Sequence, residues 1–180
     1  ELINNVLKIS KLRIEDSFIK EEVDIASILA RAIKSAKVNA EAKGVKLSLI
    51  NHRKEKHTIE GDPLLIQIAL SNIISNAIKY NNMDGIVEIE VDEDKDNLII
   101  KVCDNGVGIP KEETEKIFND FYRASNIKHS SVEGSGLGLS VVKQIVERHN
   151  GTINVQSPSH LFTNKYPGTC IKITLSFLKK

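Results

Sequence analysis

Two periodicities of apolar residues divide this sequence into helices and strands. Helical spacing, with three or four residues between apolar positions, occurs in residues 1–14, 24–44, 62–80 and 138–150. Alternation of apolar and polar residues predicts strands at "VKLSLI", "HTIEG", "IVEIEV", "NLIIKVC", "TINVQS" and "TCIKITLSF". With a short helix at "KEETEKIF", the predicted order is ααββαββααββ, which favours helices layered on one face of a mixed sheet.

Residues at the helix boundaries support this division. Asp24 is a good N-cap for a helix that ends at Gly44, and Asp62-Pro63 is an N-cap followed by proline at the first helical position. The second of these helices runs to about Tyr80. The polar stretch "EDSFIKEE" reads as a linker, and residues 1–14 carry a narrow apolar stripe suited to a coiled coil or bundle.

Composition narrows the class of protein. The chain has 180 residues, of which 41% are hydrophobic, and this fits one domain with an ordinary core. Its 25 basic residues nearly balance 24 acidic ones, so nucleic acid is not expected as a partner. Cys103 and Cys170 each lie in a strand-like apolar run and are predicted to be buried thiols in a reducing compartment, without a disulfide or metal-ligand spacing. We expect a cytoplasmic fragment, and the question whether a membrane anchor lies upstream of it stays open.

One edge of the helix at 62–80 carries a row of polar side chains. Asn72, Asn76, Lys79 and Tyr80 follow the spacing i, i+4, i+7, i+8 and lie beside the apolar stripe. An amide oxygen suits a hard cation such as Mg²⁺, and a lysine suits a phosphate. A solvated helix edge explains the same pattern, so both interpretations stay open.

Two glycine-containing loops are further candidates. In "CDNGVGIP", Asp104 follows a buried run, where a carboxylate needs partners, and Gly106 and Gly108 allow a flat ligand to approach the backbone. In "EGSGLGLSVVKQIVERHN", three alternate glycines, Gly134, Gly136 and Gly138, stand directly ahead of a strongly patterned helix, whose N-terminus can bind a phosphate. An Asx turn and a mobile surface loop are the respective alternatives.

Taken in order, four motifs resemble one family. "NIISNAIKY", "DNGVGIP", "FNDFYR" and "GSGLGLSVVKQIVERHNG" resemble the N, G1, F and G2 boxes of the catalytic, ATP-binding domain of sensor histidine kinases. The superfamily also holds gyrase, MutL and the ninety-kilodalton heat-shock chaperone. The resemblance implies a Bergerat-type α+β fold, a two-layer sandwich with a mobile ATP lid, over residues 23–180. Residues 1–22 resemble the end of a dimerisation and phosphoacceptor helix with its linker.

The resemblance also implies where ATP and Mg²⁺ bind. Tyr80 would stack on adenine, Asp104 would accept from its amino group beside Gly106 and Gly108, and Thr169 would assist. At the phosphate end, the implied residues are Asn76 for Mg²⁺ with Asn72 one turn before it, Lys79 and Arg123 for phosphate, Phe118 and Phe121 as lid anchors, and Gly134, Ser135, Gly136, Leu137, Gly138 and Leu139 around the phosphates. Residues 121–135 are expected to form a lid that is poorly ordered without nucleotide.

Asn72 indicates which branch of the superfamily applies. ATP-hydrolysing relatives carry a Glu there, and an amide cannot take a proton from water at neutral pH. A neutral imidazole needs little activation, so we expect transfer of the γ-phosphoryl group to a histidine. A non-catalytic nucleotide-binding module and a hydrolytic ATPase of the gyrase or MutL type are the alternatives, and Asn72 disfavours the latter.

The phosphoacceptor itself is expected outside this sequence. None of the five histidines lies in an H-E-x-x-T-P-like stretch, and His149 is predicted to be a surface residue at a helix C-terminus. The implied partners are therefore an upstream dimerisation domain, homodimeric in the intact protein, and a response regulator receiver domain. The stretch "SPSHLFTNKYPGTC" is longer than the glycine turn usual in the family at that place, so the placement of Thr169 rests on the resemblance with a departure just before it.

Overall fold

The structure is a computed structural model that describes residues 19–52, 58–128, 132 and 134–178. The helix predicted within residues 1–14 therefore lies outside the described residues, as do lid positions 129–131 and 133. The helices are α1 (Ile25–Ala42), α2 (Pro63–Lys79) and α3 (Gly138–Arg148). The strands are β1 (Glu21–Val23), β2 (Lys46–Asn51), β3 (Ile59–Gly61), β4 (Ile86–Glu93), β5 (Asn97–Asp104), β6 (Thr152–Gln156) and β7 (Cys170–Ser176).

A five-stranded sheet in the order β2-β4-β5-β7-β6 forms one layer. β2 pairs parallel with β4, and the other neighbouring strands pair antiparallel, so the sheet is mixed and mostly antiparallel as predicted. The short strands β1 and β3 pair separately. The predicted α+β architecture is confirmed in the described residues.

The core lies between this sheet and the three helices. Alternate residues of β4 and β5, such as Val87, Ile89 and Ile100, are buried because successive side chains of a strand point to opposite faces. The predicted apolar stripe of α2 faces them, with Ile73 and Ala77 among its buried members. One edge of α2 is thereby left beside the end of β5, where the predicted site residues lie.

The N-cap of α2, predicted from the sequence as Asp62, can be tested directly by substitution. Asp62 accepts hydrogen bonds from the backbone N–H groups of Leu64 and Leu65, both at 3.0 Å. We expect Asp62→Ala to lower the free energy of unfolding by about 1–2 kcal/mol, since both helix donors lose their acceptor. Urea unfolding at pH 7 measures this, with Asp120→Ala, an exposed position outside the helices, as control. Equal stability of parent and Asp62→Ala would contradict the assigned cap.

Two stretches differ from their predicted local structure. Glu21 and Glu22, the last two residues of the predicted linker "EDSFIKEE", form a strand with Val23, because β3, far along the chain, supplies hydrogen-bond partners. The stretch "KEETEKIF" forms two short 3₁₀ turns, Lys111–Glu113 and Lys116–Phe118, rather than an α-helix. Ile117 is its one buried residue, and such a narrow apolar face cannot stabilise a full helix.

His149 is buried rather than at the surface, so that prediction is also wrong. Its side chain is 8% exposed, its Nε2 accepts from the backbone N–H of Asp62 at 2.9 Å, and its Nδ1 lies 2.7 Å from the carbonyl oxygen of Ile145. Burial lowers the pKa of His149, which keeps the ring neutral. The histidine joins the end of α3 to the start of α2.

The prediction of two unpaired thiols is wrong as well. Cys103 and Cys170 are joined by a disulfide, and they are partners in the register of β5 and β7. Cys103 is buried, as expected, whereas Cys170 is only half-buried. The 67 residues between them hide this pairing from the sequence.

Candidate functional site

A cleft opens between α2, the end of β5, the segment that follows β5, and the start of α3. Its empty volume is about 1090 Å³, including space open to solvent. Thirteen of the predicted site residues line it: Asn72, Asn76, Lys79, Tyr80, Asp104, Gly108, Arg123, Gly134, Ser135, Gly136, Gly138, Leu139 and Thr169. The predicted residues thus lie together although they come from distant parts of the chain.

The amide row of α2 faces the first residue of α3. Nδ2 of Asn72 donates to the carbonyl oxygen of Ile68 at 3.0 Å, which fixes the side chain along the helix. A β-carbon on Gly138 would lie 3.6 Å from Oδ1 of Asn72 and 3.8 Å from Nδ2 of Asn76. The two amides and the N-terminus of α3 therefore border the same space.

Lys43 of the α1–β2 turn holds the end of α2 that carries Lys79 and Tyr80. Its Nζ donates to the carbonyl oxygens of Ile78 at 3.2 Å and Lys79 at 2.7 Å, and burial lowers its pKa. A cation at this place also interacts favourably with the partial negative charge at the C-terminus of α2. Nζ of Lys79 and the hydroxyl of Tyr80 each lie 3.2 Å from the β-carbon position of Gly134, so both side chains reach the glycine segment.

Asp104 is a carboxylate at the inner wall of the cleft. It is 7% exposed, and Oδ1 accepts from the backbone N–H groups of Gly106 at 2.8 Å and Thr169 at 3.2 Å. Burial raises its pKa from an ordinary 3.8 to about 6, and the two backbone hydrogen bonds oppose that rise. At neutral pH it is mostly ionised, with Oδ2 as an acceptor for a ligand.

This raised pKa predicts that the free protein loses stability as pH rises. The unfolded carboxyl ionises near 3.8, whereas the folded one keeps its proton until about pH 6. Within that window the unfolded state binds fewer protons, so the free energy of unfolding falls, and it stays lowered above the window. Asp104→Asn removes the titration while keeping an oxygen acceptor. From pH 4 to pH 8, the free energy of unfolding of the variant should rise by roughly 2–3 kcal/mol relative to that of the parent. Urea unfolding at each pH measures this gain, and a pH-independent difference would contradict the assigned burial.

Thr169 lies directly opposite Asp104. The backbone N–H of Asp104 donates to the carbonyl oxygen of Thr169 at 2.8 Å, which extends the pairing of β5 with β7 by one residue. The long loop before Thr169 therefore leaves its position at the wall of the cleft intact. Gly106 packs below this wall, where a β-carbon would lie 2.9 Å from the Cα of Asn81 and even closer to the carbonyl oxygen of Tyr80. Only glycine fits that approach.

An apolar wall completes the inner end of the cleft. Its members are aliphatic side chains of the sheet and of the segment after β5, together with Tyr122: Val102, Val107, Ile109, Ile117, Tyr122, Ala124, Ile127 and Ile171. Sequence reasoning did not single them out. Val102 and Ile171 belong to predicted strands, and for the others the one signal was the recurrence of apolar residues in a segment with little regular structure. They make the pocket around Asp104 suitable for a flat, apolar ring with a hydrogen-bond donor.

Arg123 binds the described part of the lid and lines the cleft. Nη2 donates to the carbonyl oxygens of Ile127 at 3.1 Å and Val132 at 2.7 Å. Nε is buried and has no hydrogen-bond partner in the structure. The side chain thus lines the cleft while its guanidinium end holds the lid backbone.

The glycine segment packs on the backbone of Phe121. Gly136 has φ +73°, and a β-carbon there would lie 2.6 Å from the carbonyl carbon of Phe121 and 2.9 Å from its Cα. The ring of Phe121 is 67% exposed, Phe118 is half-buried, and neither lines the cleft. Leu137 is buried and does not line the cleft either. Gly106 and these three are the predicted site residues outside the lining.

The N-terminus of α3 is open toward the cleft. Leu137 is the N-cap residue, and no side chain accepts a cap hydrogen bond there. The first N–H groups of a helix carry partial positive charge and readily bind an anion. With Lys79 close to Gly134, this end of the cleft suits phosphate groups, whereas the end near Asp104 suits a base.

A comparison with known families shows to which family the chain belongs. The model of the histidine kinase-, DNA gyrase B- and HSP90-like ATPases matches residues 61–179, the segment that supplies every wall of the cleft. The chain belongs to this family. Within it, the chain is the catalytic ATPase domain of a sensor histidine kinase, as its relatives show. The predicted resemblance, fold and enzyme class are confirmed, and a domain of this family binds ATP.

Two curated relatives place the domain within longer proteins. Sensor histidine kinase WalK of Bacillus subtilis is 33% identical over 180 residues, which cover 98% of this chain and 28% of WalK. Sensor-like histidine kinase SenX3 of Mycolicibacterium smegmatis is 31% identical over 98% of this chain and 44% of its own length. The histidine kinase domain thus spans less than half the length of either protein.

Solved structures agree on the fold. The mycobacterial sensor histidine kinase MprB has 27% identity and a TM-score of 0.75, with 90% of this chain and 100% of MprB covered. Histidine kinase ThkA, solved in complex with the response regulator protein TrrA, has 20% identity and a TM-score of 0.77, with 98% and 47% covered. At that identity the ThkA match shows the fold alone. Among the helices that the structure describes, none is long and apolar enough to span a bilayer.

Proposed function

We propose that this domain transfers the γ-phosphoryl group of Mg-ATP to a histidine of an upstream dimerisation domain. One observation carries the proposal. A single cleft holds a buried carboxylate, Asp104, at its apolar end and two amides, a lysine and an uncapped helix N-terminus at its polar end. That distribution matches adenine at one end and a metal-bound triphosphate at the other.

Adenine fits the apolar end because Asp104 offers one free acceptor oxygen. Oδ1 already accepts two backbone hydrogen bonds, so Oδ2 is the acceptor for the exocyclic amino group. Ile109 and Ile171 lie in the same wall and can contact the faces and edge of the ring. Tyr80 lines the same cleft, and we propose that its ring stacks on the base.

The triphosphate fits the polar end through backbone and cationic groups. One volume is bordered by the first N–H groups of α3, by Lys79 and by Arg123, all of which can donate to phosphate oxygens. Gly134, Gly136 and Gly138 bring no side chain into it, so the phosphates can approach the backbone closely. We propose that Arg123 contacts the γ-phosphate, because this cation lines the cleft and also holds the lid backbone through Nη2.

The donor set also fits Mg²⁺. Asn72 and Asn76 present carboxamides one helical turn apart at the polar end, and amide oxygens are ligands that Mg²⁺ accepts alongside water and phosphate. We propose Asn76 as the protein ligand, with Asn72 beside it. When bound, the ion neutralises charge on the phosphates during transfer.

Asn72 explains why ATP would be kept for a histidine. Its amide is fixed by the hydrogen bond to Ile68, and it cannot accept a proton from a water molecule near the γ-phosphate. A neutral imidazole nitrogen of the acceptor domain can attack phosphorus without such a base. A phosphorus–nitrogen bond forms, the bond to the β-phosphate oxygen breaks, and ADP leaves. The domain's own residues position the chain of phosphates and supply donors for its charge.

The proposed organisation of the intact protein follows from this reaction. Residues 1–22 are proposed to be the end of the dimerisation and phosphoacceptor helix with its linker, and residues 23–180 the catalytic domain. The phosphoryl group would pass on to a response regulator, the class of protein with which ThkA was solved. The intact protein is proposed to be a homodimer, and placement in the cell membrane by an upstream anchor belongs to the same proposal.

A transfer assay on a longer protein tests the proposal. The longer protein adds the upstream helices with their histidine, and this chain alone is the control. Both are incubated with γ-labelled ATP and Mg²⁺. We expect acid-labile, base-stable label on the longer protein and none on this chain, because the described part of the site has no acceptor histidine in the cleft.

Other outcomes would favour other functions. Nucleotide binding without label on the longer protein would indicate a module that signals by ordering its lid. Steady release of free phosphate by this chain would indicate a hydrolytic ATPase. Either result would overturn phosphoryl transfer to histidine.

A further inference from the structure

The face of the main sheet that carries no helices holds a group of metal-ligating side chains around His160. Two sets of three have ligand atoms within 4.8 Å of one another: Cys103, His160 and Cys170, and Glu88, Glu90 and His160. His160 belongs to both sets. None of these five residues lines the nucleotide cleft, so the group needs an explanation of its own.

Three neighbouring strands place the cysteines and a carboxylate in one row. Cys103 of β5 lies opposite Cys170 of β7 on one side and opposite Glu88 of β4 on the other. Their strand neighbours Val87 and Val102 are buried against the helices, so Glu88 and Cys103 point to the other face. The row is therefore set by strand register and does not depend on long, flexible side chains.

His160 comes from the loop between β6 and β7, which is fixed next to this row. Oγ of Ser159 donates to the carbonyl oxygen of Asp104 at 2.6 Å, and the backbone N–H of Ser159 donates to the carbonyl oxygen of Pro167 at 2.9 Å. Nε2 of His160 lies 2.8 Å from Oε1 of Glu88. Histidine and carboxylate are thus already in contact beside the two sulfurs.

We propose that Cys103, Cys170, His160 and Glu88 bind one thiophilic divalent cation, with Zn²⁺ the expected ion, when both cysteines are reduced. Two thiolates, an imidazole and a carboxylate make four ligands, all of types that Zn²⁺ takes in tetrahedral sites. Glu88 is a better fourth ligand than Glu90, because Oε2 of Glu90 already accepts from a lysine, Nζ of Lys101, at 2.8 Å. Hard cations such as Mg²⁺ would not select this sulfur-containing set.

The metal-bound and disulfide states exclude each other. In the disulfide the two sulfurs are bonded and cannot both serve as thiolate ligands. A thiol or phosphine reductant supplies two electrons, two protons are taken up, and two thiols form while the reductant is oxidised. The cation then displaces one proton from each thiol as it binds.

The proposed metal site is independent of the nucleotide site. Asp104 and Thr169, the chain neighbours of the two cysteines, line the cleft on the opposite side of the sheet. A cation bound to the sulfurs would not occupy nucleotide space. Metal binding can therefore be measured without nucleotide, and its failure would leave the proposed function untouched.

Cobalt and zinc titrations of the full chain test this proposal. The protein is reduced with a phosphine, separated from it without oxygen, and checked for two free thiols. We expect one Co²⁺ per chain to produce thiolate-to-cobalt charge-transfer absorption, and Zn²⁺ to remove it. Cys103→Ser with Cys170→Ser should abolish the band, and His160→Gln should weaken binding by roughly 10- to 100-fold. His52→Gln, at an exposed histidine outside both sets, should bind like the parent.

Three results would overturn the proposal. The first is a disulfide that persists under excess reductant. The second is the absence of a thiolate–cobalt band in the reduced parent. The third is equal affinity of His160→Gln and the parent for the metal ion. The His160 variant decides the matter even if the double cysteine variant does not fold, because His160 is exposed and lies in a surface loop. Thermal unfolding followed by circular dichroism confirms that each variant is folded before titration.

Discussion

Asp104→Asn is expected to lower ATP affinity by roughly 100-fold, since a charge-assisted hydrogen bond is lost at a buried position. The variant amide keeps an oxygen for the backbone donors of Gly106 and Thr169, so the wall of the cleft should keep its shape. The remaining amide nitrogen is a donor and would face the donor of adenine. Isothermal titration calorimetry with a non-hydrolysable ATP analogue measures the loss.

Base selectivity makes this prediction specific. Inosine triphosphate has an oxygen in place of the adenine amino group, so the parent should bind it much more weakly than ATP. Asp104→Asn should narrow or reverse that preference, because its amide nitrogen can donate to the oxygen. Asp96→Asn, at an exposed turn at the far end of β5, is the control and should bind like the parent. Parent-like ATP affinity and selectivity in Asp104→Asn would rule out the assigned base contact.

Asn76→Ala is expected to remove most of the Mg²⁺ dependence of ATP binding. The substitution deletes the proposed protein ligand while alanine preserves the helix. We expect roughly 100-fold weaker binding of Mg-ATP and a comparable loss of histidine labelling in the longer protein. Binding of metal-free ATP should change much less, because the donors at α3 and Lys79 remain.

Titrations at several Mg²⁺ concentrations measure this effect. Asn39→Ala, an exposed asparagine on α1, is the matched control for loss of a helical amide. An Asn76→Ala variant whose ATP affinity still rises with Mg²⁺ as in the parent would show that the metal ligand lies elsewhere.

Much of the fold could be predicted because its local rules agree with one another. Asp24 and Asp62 cap helices that begin one residue later, and the alternating runs that end at Glu93 and Asp104 pair as a hairpin. Such features depend on neighbours within a few residues. The row on α2 was predictable for the same reason, since helical spacing places Asn72 and Asn76 one turn apart.

What escaped prediction depends on partners far along the chain. Glu21 and Glu22 were predicted to belong to a linker, because the hydrogen bonds that make them a strand come from β3. His149 was predicted to be exposed, because the donor that holds it, the N–H of Asp62, is far along the chain. The register of β5 and β7 brings Cys103 to Cys170, and nothing in either local sequence indicates it. Local sequence patterns determine where helices and strands form. How those helices and strands pack determines which side chains meet, and this depends on residues far along the chain.

The apolar wall of the cleft shows the same limit within the site itself. Ile109 and Ile117 lie in a segment of turns, where periodicity carries no information about which face a side chain takes. Asp104 was a candidate from its own loop, whereas Thr169 was identified only by resemblance to a family. The structure adds that the two are hydrogen-bonded neighbours across two strands. The roles of these residues toward ATP stay predictions.

A crystal structure with Mg²⁺ and a non-hydrolysable ATP analogue tests the central claim most directly. We predict the adenine amino group within hydrogen-bond distance of Asp104, the phosphates at the first turn of α3, and the metal on the side chain of Asn76. A nucleotide bound elsewhere, or a cleft closed by protein side chains in crystals that bind the analogue, would contradict this account.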